Sequence, residues 1–364
     1  MQLLDLPSDV LTTIFGFLNP RDCFAVDLSC RRFQNLLKLR IWPYFRKLHV
    51  SGSESSHSDV DLDTLIINQI LQRCNFDILS EVDICSVSLN LRSILTIMSC
   101  GNLKKLHLSD CELPDILESG CDEWKLQAES PVESLWFHNC VIPTSVLRYF
   151  LMPACQSPLK VCNLSRSMVK PSAQDSGKLL LLELNGPLHL EELHNLTSLH
   201  LSHARWRFNL FPQTLPWQKL THLCLIGIMS DAHVYKLQNL QNLQELDISQ
   251  SNRLFDWALV TLSRLSNLQK LLCCECDNLN GKFLKSLLLV CPKLHTVGLA
   301  HCDSIFPNLL DEISDCLADD RSFLLYLKAS GAFVSSMFSI AWINNSITID
   351  LSHCSEHHCK VCFH

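Results

Sequence analysis

The chain has 364 residues, of which 47% are hydrophobic and 18% are charged, and its formal net charge is −7. A chain of this length and composition can bury a large core, which excludes disorder along its whole length. The acidic balance argues against a nucleic-acid-binding protein, because phosphate contacts require a basic face. No apolar run is long enough to span a bilayer, and we therefore expect no interaction within a membrane.

The 20 cysteines would indicate disulfides if this were a small secreted chain. The N-terminus does not resemble a signal peptide, because Asp5 and Pro7 come early and no basic patch precedes an apolar run. We therefore expect a cytoplasmic or nuclear protein whose thiols are reduced.

Three short helices are predicted between residues 6 and 42. Pro7 suits the first turn of a helix, and Asn19 followed by Pro20 is a cap and first-turn pair for the second helix. The first helix is apolar on most of its circumference, so we expect it to be buried on two sides. About forty residues bury too little surface to fold alone. The stretch is therefore either a helical cap on a larger core or a docking module that presents a helix edge to a partner.

Residues 6–42 resemble the F-box motif at the motif's own spacing. The matching positions are Leu6, Pro7, Asp9, Val10, Leu11, Ile14, Phe15, Leu18, Asp22, Cys30, Arg31, Arg32, Phe33, Leu36 and Trp42. Phe33 departs from the family, which most often has Trp there, but Phe fills similar space. The resemblance implies docking to the small adaptor of cullin–RING ubiquitin ligases, and through the adaptor to a cullin. The adaptor-facing positions of the family fall on Leu6, Pro7, Val10, Leu11, Ile14, Leu18, Leu36 and Trp42.

A linker and a cap are predicted between the F-box motif and residue 79. Residues 45–50 predict a first strand, and the polar, Ser-rich residues 51–63 predict a loop. The apolar spacing over residues 62–71 predicts an amphipathic helix.

From residue 79 onward the chain repeats a Leu-x-x-Leu-x-Leu frame. Units begin at Leu79, Leu103, Val132, Leu159, Leu179, Leu196, Leu220, Leu243, Leu268, Leu294, Leu324 and Ser346. The alternating apolar residues predict a short strand whose leucines point into the array. The rest of each unit returns the chain, and helices are predicted at residues 89–98, 144–151, 257–265 and 283–290. The sequence therefore predicts an α/β fold, in which a three-helix F-box precedes a curved solenoid of about 11–12 leucine-rich repeats with parallel strands on its concave face.

A cysteine recurs at one position of several units, at Cys111, Cys140, Cys276, Cys302 and Cys354. The pattern resembles the cysteine-containing class of leucine-rich repeats that commonly follows an F-box. We therefore expect most of the cysteines to be packing residues. The units between residues 159 and 220 are uneven, and residues 114–131 are extra material, so we expect an irregular array near residues 112–215.

Candidate metal sites are weak. His189 and His194 are five positions apart, which would place them well to either side of one another on a helix. The tail has Cys359-x-x-Cys362 with several His residues, but a second pair of ligands beyond a loop is missing. We expect no metal and no cofactor, and no phosphate-binding glycine loop or nucleophile elbow indicates an enzyme.

The strand positions between the inward leucines predict a binding surface, because repeat proteins usually bind on their concave face. As candidate substrate-binding residues we select Lys105, His107, Trp136, His138, Asn163, Glu183, Asn185 and His200. Trp136 stands out, because a large aromatic in an exposed register is typical of a binding hot spot. The alternative is that the extra material at residues 112–131 covers it.

The sequence as a whole resembles a substrate-recognition subunit of an SCF-type ubiquitin ligase. The predicted domains are an F-box at 1–44, a linker and cap at 45–78, leucine-rich repeats at 79–354 and a tail at 355–364. Such a subunit has no active site and binds a protein substrate, which the sequence does not identify. Two alternatives stay open: a leucine-rich scaffold that acts outside ubiquitin transfer, and an enzyme whose site is assembled from distant residues.

Overall fold

The computed structural model describes residues 3–51, 60–75, 77–116, 131–151, 158–170, 195–202, 217–302, 304–305, 309–314, 323–326 and 347–350. The chain forms two compact units, Met1–Leu193 with Arg205–Arg207 and His194–Ala204 with Phe208–His364. This division falls within the predicted repeats, and the domain boundaries proposed from the sequence stay a prediction.

The first unit begins with the three predicted helices. They are α1 (Ser8–Phe15), α2 (Pro20–Ser29) and α3 (Arg31–Arg40), with 3-10 turns at Leu3–Asp5 and Trp42–Tyr44. The start of α2 is the predicted cap, since the side chain of Asn19 accepts a hydrogen bond of 2.8 Å from the backbone N–H of Asp22. Phe15 and Phe33 pack edge to face with ring centroids 5.1 Å apart, so Phe33 fills its position well.

The remainder of the first unit is a parallel sheet with helical returns. Its elements are β1 (Lys47–Ser51), α4 (Val60–Leu71), β2 (Glu81–Cys85), α5 (Leu91–Met98), β3 (Lys105–Ser109), β4 (Ser134–His138), β5 (Val141–Pro143), α6 (Thr144–Leu151), β6 (Val161–Asn163) and β7 (Met168–Lys170). The sheet order is β1-β2-β3-β4-β6, and β5 pairs with β7 in a small second sheet. Alternate strand residues are buried, which confirms the predicted inward positions.

The second unit continues the same pattern. Its elements are β8 (Ser198–His200), β9 (His222–Cys224), α7 (Asp231–Leu237), β10 (Glu245–Asp247), α8 (Asp256–Leu259), β11 (Lys270–Leu272), α9 (Phe283–Val290), β12 (Thr296–Gly298), α10 (Leu309–Ser314), β13 (Phe323–Tyr326) and β14 (Ile347–Asp350). The seven strands are parallel and follow sequence order. The predicted helix at residues 257–265 is instead a short α8 that continues as a 3-10 helix, Val260–Arg264.

Each of the described repeat cysteines, Cys111, Cys140, Cys276 and Cys302, directly follows a left-handed residue in the turn after a strand, whereas Cys354 lies outside the described residues. Asp110, Asn139, Glu275 and His301 have φ values between 51° and 60°. This sharp turn directs the next side chain inward, and Cys140 donates to the carbonyl of Leu108 in the preceding repeat at 3.3 Å. The predicted packing role of these cysteines is thereby confirmed for the described ones, which carry free thiols.

We predict that the buried thiols react slowly in the native protein. Burial raises the pKa of Cys74, Cys100 and Cys162 to about 12, from an ordinary value of 9.0. A raised pKa disfavours the thiolate, which is the reactive form, whereas Cys30 is only half-buried. At a pH below 9.0, iodoacetamide followed by peptide mass spectrometry should therefore modify Cys30 well before these three. Denatured protein is the control, and equal native rates at Cys30 and Cys162 would contradict the assignment.

Candidate docking surfaces

Helix α1 leaves one apolar edge open to solvent. Val10, Ile14 and Phe17 are 43%, 38% and 86% exposed, whereas Leu11 and Phe15 are buried against the neighbouring helices. Val10 and Ile14 are neighbours on one face of α1, and Phe17 lies in the turn that follows the helix. In the chain by itself α1 packs inward with one side only, so of the two alternatives for this stretch the exposed edge favours a docking module, and burial on the second side stays a prediction.

The chain before α1 adds further apolar surface. Leu3 and Leu4 are 48% and 44% exposed, Pro7 is exposed and Leu6 is half-buried. Arg32 of α3 fixes this segment, because its guanidinium donates hydrogen bonds to the carbonyl of Leu4 and, at 2.8 Å, to that of Leu6. We name as the apolar edge the set Leu3, Leu4, Leu6, Pro7, Val10, Ile14 and Phe17. Of these, the sequence assignment missed Leu3, Leu4 and Phe17. For Phe17, its spacing from Val10 and Ile14 in the sequence could have indicated that it belongs to the same edge.

Three of the residues assigned to adaptor contact lie inside the chain. Leu11, Leu36 and Trp42 are 0%, 7% and 1% exposed, and Leu18 is half-buried. A partner cannot reach such side chains without rearrangement of the helices. We therefore propose that these three residues support the apolar edge from beneath, and that direct contact falls to the exposed residues.

A largely buried ion pair joins α2 to Arg73, which lies in the turn directly after α4. Arg73 Nε donates to Asp27 Oδ2 at 2.8 Å, and the guanidinium carbon lies 4.8 Å from the centre of the Phe24 ring. The Asp27 side chain is 2% exposed. Helix α2 also packs against β1, where Arg21 donates to the carbonyl of Ser51 at 2.9 Å. These contacts hold the N-terminal helices against the start of the sheet.

The strands of the first unit carry polar side chains in register on one face, which we name the strand face. His49, Asp83, His107 and Trp136 lie side by side on β1 to β4. Asp83 contacts His49 Nδ1 at 2.7 Å and His107 Nδ1 at 3.5 Å, and the His107 ring centroid is 5.5 Å from that of Trp136. The strand face thus offers a continuous row of charged, polar and aromatic groups.

A second row on the strand face is a charge ladder. Glu81 lies between Lys47, at 2.8 Å, and Lys105, at 3.4 Å. Hydrogen bonding from Lys47 and Lys105 lowers the pKa of the Glu81 carboxyl below its ordinary value, in spite of its partial desolvation. Glu81 therefore stays ionised, and its charge is shared between the two lysines.

The candidate substrate-binding residues are only partly brought together. Lys105, His107, Trp136 and His138 lie on the strand face of the first unit, whereas His200 lies on β8 of the second. Trp136 is half-buried and donates to Ser134 Oγ at 3.0 Å. Glu183 and Asn185, and residues 117–130 of the extra material proposed to cover Trp136, lie outside the described residues.

The structure corrects the prediction that Asn163 belongs to the substrate-binding surface. It is 5% exposed, and its side-chain oxygen accepts a hydrogen bond of 2.9 Å from the backbone N–H of Ser165. Asp247 occupies the same role in the second unit, where it is 1% exposed and accepts from the N–H of Ser249 at 3.0 Å. At the end of a strand these side chains accept hydrogen bonds from the backbone N–H groups of the turn that follows, so they are not available to a partner.

The described part of the chain contains neither a metal-binding cluster nor a membrane-spanning helix. There, no group of three His, Cys, Asp or Glu residues is arranged to hold a metal ion. His189, His194 and the Cys/His-rich tail lie outside the described residues. Among the described helices, none combines the length and the apolar character needed to cross a bilayer.

Comparisons with known proteins identify the N-terminal helices. Residues 3–45 match the family model described as F-box-like, which confirms the resemblance of this stretch. No curated protein matches the chain. Among solved structures, an internalin from Listeria monocytogenes is 13% identical with a TM-score of 0.47. The match covers 97% of this chain and 100% of the internalin chain. The complex of Rad7 and Elc1 from yeast is 12% identical with a TM-score of 0.47, covering 96% of this chain and 87% of the other.

Proposed function

We propose that this chain, in which an F-box-like domain precedes leucine-rich repeats, is a substrate-recognition subunit of an SCF-type ubiquitin ligase. The F-box-like domain docks the cullin adaptor, and the repeats bind a protein substrate for ubiquitination. The observation that carries the proposal is the apolar edge, where Val10 and Ile14 on one face of α1 and Phe17 in the turn after it are exposed. Exposed apolar side chains at i and i+4 of a helix, with a third directly after its end, are suited to insertion into an apolar groove of a partner.

A subunit of this kind needs no catalytic group of its own. It holds the substrate near a ubiquitin-charged enzyme that is bound elsewhere on the same ligase, so that transfer occurs between neighbours at high effective concentration. The polar and aromatic strand face is suited to this task, because a partner can read a row of fixed side chains in register.

The experiment that tests the proposal is isolation of the full chain from cells with its bound partners. We expect both the adaptor and a cullin to co-purify, and the isolated complex to transfer ubiquitin to a captured protein. If the adaptor is present and cullin is absent, the chain is the alternative, a leucine-rich scaffold that acts outside ubiquitin transfer. Absence of the adaptor would overturn the docking assignment as well.

We further predict that substrate binding depends on Trp136. An aromatic anchor beside hydrogen-bonding groups is typical of an interface centre, and its truncation costs about 2 kcal/mol or more. Trp136→Ala should therefore remove the proximity-labelled partners that depend on the repeats and leave adaptor binding unchanged.

The matched variant for this prediction is Glu245→Ala with Lys270→Ala in the second unit. Both residues are half-buried strand positions, and their side chains contact each other at 3.8 Å. Loss of the same partners in this variant alone would place the substrate in the C-terminal half. Retention of all partners in both variants would show that substrate is bound neither at the strand face nor at the corresponding strand positions of the second unit.

A further inference from the structure

The helices of the second unit present an aromatic surface that the proposed function does not use. Tyr235 on α7, Phe255 before α8, Trp257 on α8 and Val260 after it are 41%, 44%, 56% and 37% exposed. The rings of Tyr235 and Trp257 contact each other across neighbouring helices, with centroids 6.0 Å apart. We name these four residues the aromatic face. Apolar side chains grouped on a surface in this way mark interaction sites more often than isolated ones.

The core of the second unit does not require these side chains. The same helices already bury their inward residues, among them Val234, Leu237, Leu259 and Leu262, each fully buried. The aromatic face is therefore additional to the packing that holds the helices on the sheet. Large aromatic groups of this kind are over-represented among interface anchors, since they provide much contact area with few rotatable bonds.

The charges around the aromatic face are unequal. Asp231 and Asp256 are the acidic side chains of α7, α8, the 3-10 helix and α9. Both are engaged within the fold: Asp231 accepts from the N–H of Phe255 at 3.0 Å, and Asp256 accepts from the N–H of Asn280 at 2.8 Å.

The cations near the aromatic face point to an acidic partner. Lys282 and Lys285 lie at the start of α9, which packs beside α8, and both are exposed. Arg253, just before α8, and Arg264, at the end of the 3-10 helix, are exposed as well. Beyond these elements, acidic Asp277 lies in the loop before α9, and Glu312 lies on α10, which packs against α9. On α7, α8, the 3-10 helix and α9 themselves, the exposed charged side chains are cations, which complements a partner that carries apolar and acidic side chains.

We propose that the aromatic face binds an acidic amphipathic helix of a partner protein. Its apolar side chains cover Tyr235 and Trp257, and its carboxylates lie against Lys282 and Lys285. A helix suits the site better than a membrane, because the two rings are already about half covered and pack against each other. Insertion into lipid favours apolar side chains that project freely beyond the basic residues.

The probe for this proposal is a labelled synthetic helix of about 18 residues, with Leu and Phe on one face and Glu on the other. By fluorescence anisotropy it should bind the full chain with a Kd on the order of 10 µM. Trp257→Ala should weaken binding by about tenfold or more, as truncation of an anchor does. The pair Lys282→Glu and Lys285→Glu should weaken it by a similar factor of about ten, more strongly at low salt.

The matched controls are a peptide with Lys in place of Glu and the variant Leu289→Ser. Leu289 is 66% exposed at the other end of α9, so its loss tests for non-specific adhesion. Equal binding of the Lys peptide, equal weakening by Leu289→Ser, or no binding of the Glu peptide would overturn the proposal. Vesicles containing phosphatidylserine form the last arm, and vesicle binding that depends on Trp257 without peptide binding would assign the face to membranes instead.

Discussion

The double substitution Val10→Ala and Ile14→Ala is expected to weaken adaptor binding by several hundredfold or more. Truncation of a central interface anchor costs on the order of 2–4 kcal/mol, and two such anchors are removed together. Both side chains are more than a third exposed in the chain alone, so their truncation should leave the fold intact. Isothermal titration or pull-down with the purified adaptor measures the loss, and circular dichroism checks the fold.

Two further variants separate docking from folding. Leu289→Ala removes a more exposed apolar side chain outside the F-box-like domain, and we expect it to leave adaptor binding unchanged. Leu11→Ala should weaken binding in a different way, by destabilising the helices by about 2–5 kcal/mol through the cavity it leaves. Undiminished adaptor binding by the Val10/Ile14 variant would remove the apolar edge from the docking site.

Removal of Arg73 is expected to destabilise the N-terminal part of the chain by about 3 kcal/mol or more. The substitution Arg73→Leu leaves the Asp27 carboxylate buried and without its cation, and breaking a buried ion pair in this way costs about 3–5 kcal/mol. The expected value lies toward the lower end, because the Arg73 side chain is 23% exposed and solvent reaches part of the pair. Urea titration followed by circular dichroism measures the change in the free energy of unfolding.

The pair Asp27→Leu with Arg73→Leu is the control for this effect. Replacing both partners removes the uncompensated charge, so much of the lost stability should return. A double variant as unstable as Arg73→Leu alone would show that packing of the arginine over Phe24, and not its charge, holds α4 against α2.

The repeats could be predicted closely because their signal is local. The frame of alternating leucines is enough to place a strand, and the helices predicted at residues 144–151 and 283–290 have those bounds in the structure. The N-terminal cap of α2 could be predicted for the same reason, because Asn19, Pro20 and their sequence neighbours determine it.

The docking residues could be predicted only in part, because exposure depends on how helices are oriented against each other. Val10 and Leu11 are adjacent and similarly apolar, yet one is 43% exposed and the other fully buried. The packing of α1 against α3 determines which of these two side chains is buried. The local sequence pattern carries no information about that packing. The exposure of Asn163 on the strand face could not be predicted from the local pattern either, because its burial accompanies a hydrogen bond to the next turn.

The position of the N-terminal helices has a consequence for experiments that delete them. Among the described strands, β1 lies at one end of the sheet order, and an open sheet edge offers unpaired backbone groups to other chains. Helix α2 packs against this strand, and Arg21 occupies the carbonyl of Ser51 at its end. The helices therefore cover part of this edge and reduce edge-to-edge aggregation of the sheet. A chain shortened to begin after residue 44 is expected to self-associate, and any partner it loses or gains would report that association and not the loss of adaptor docking.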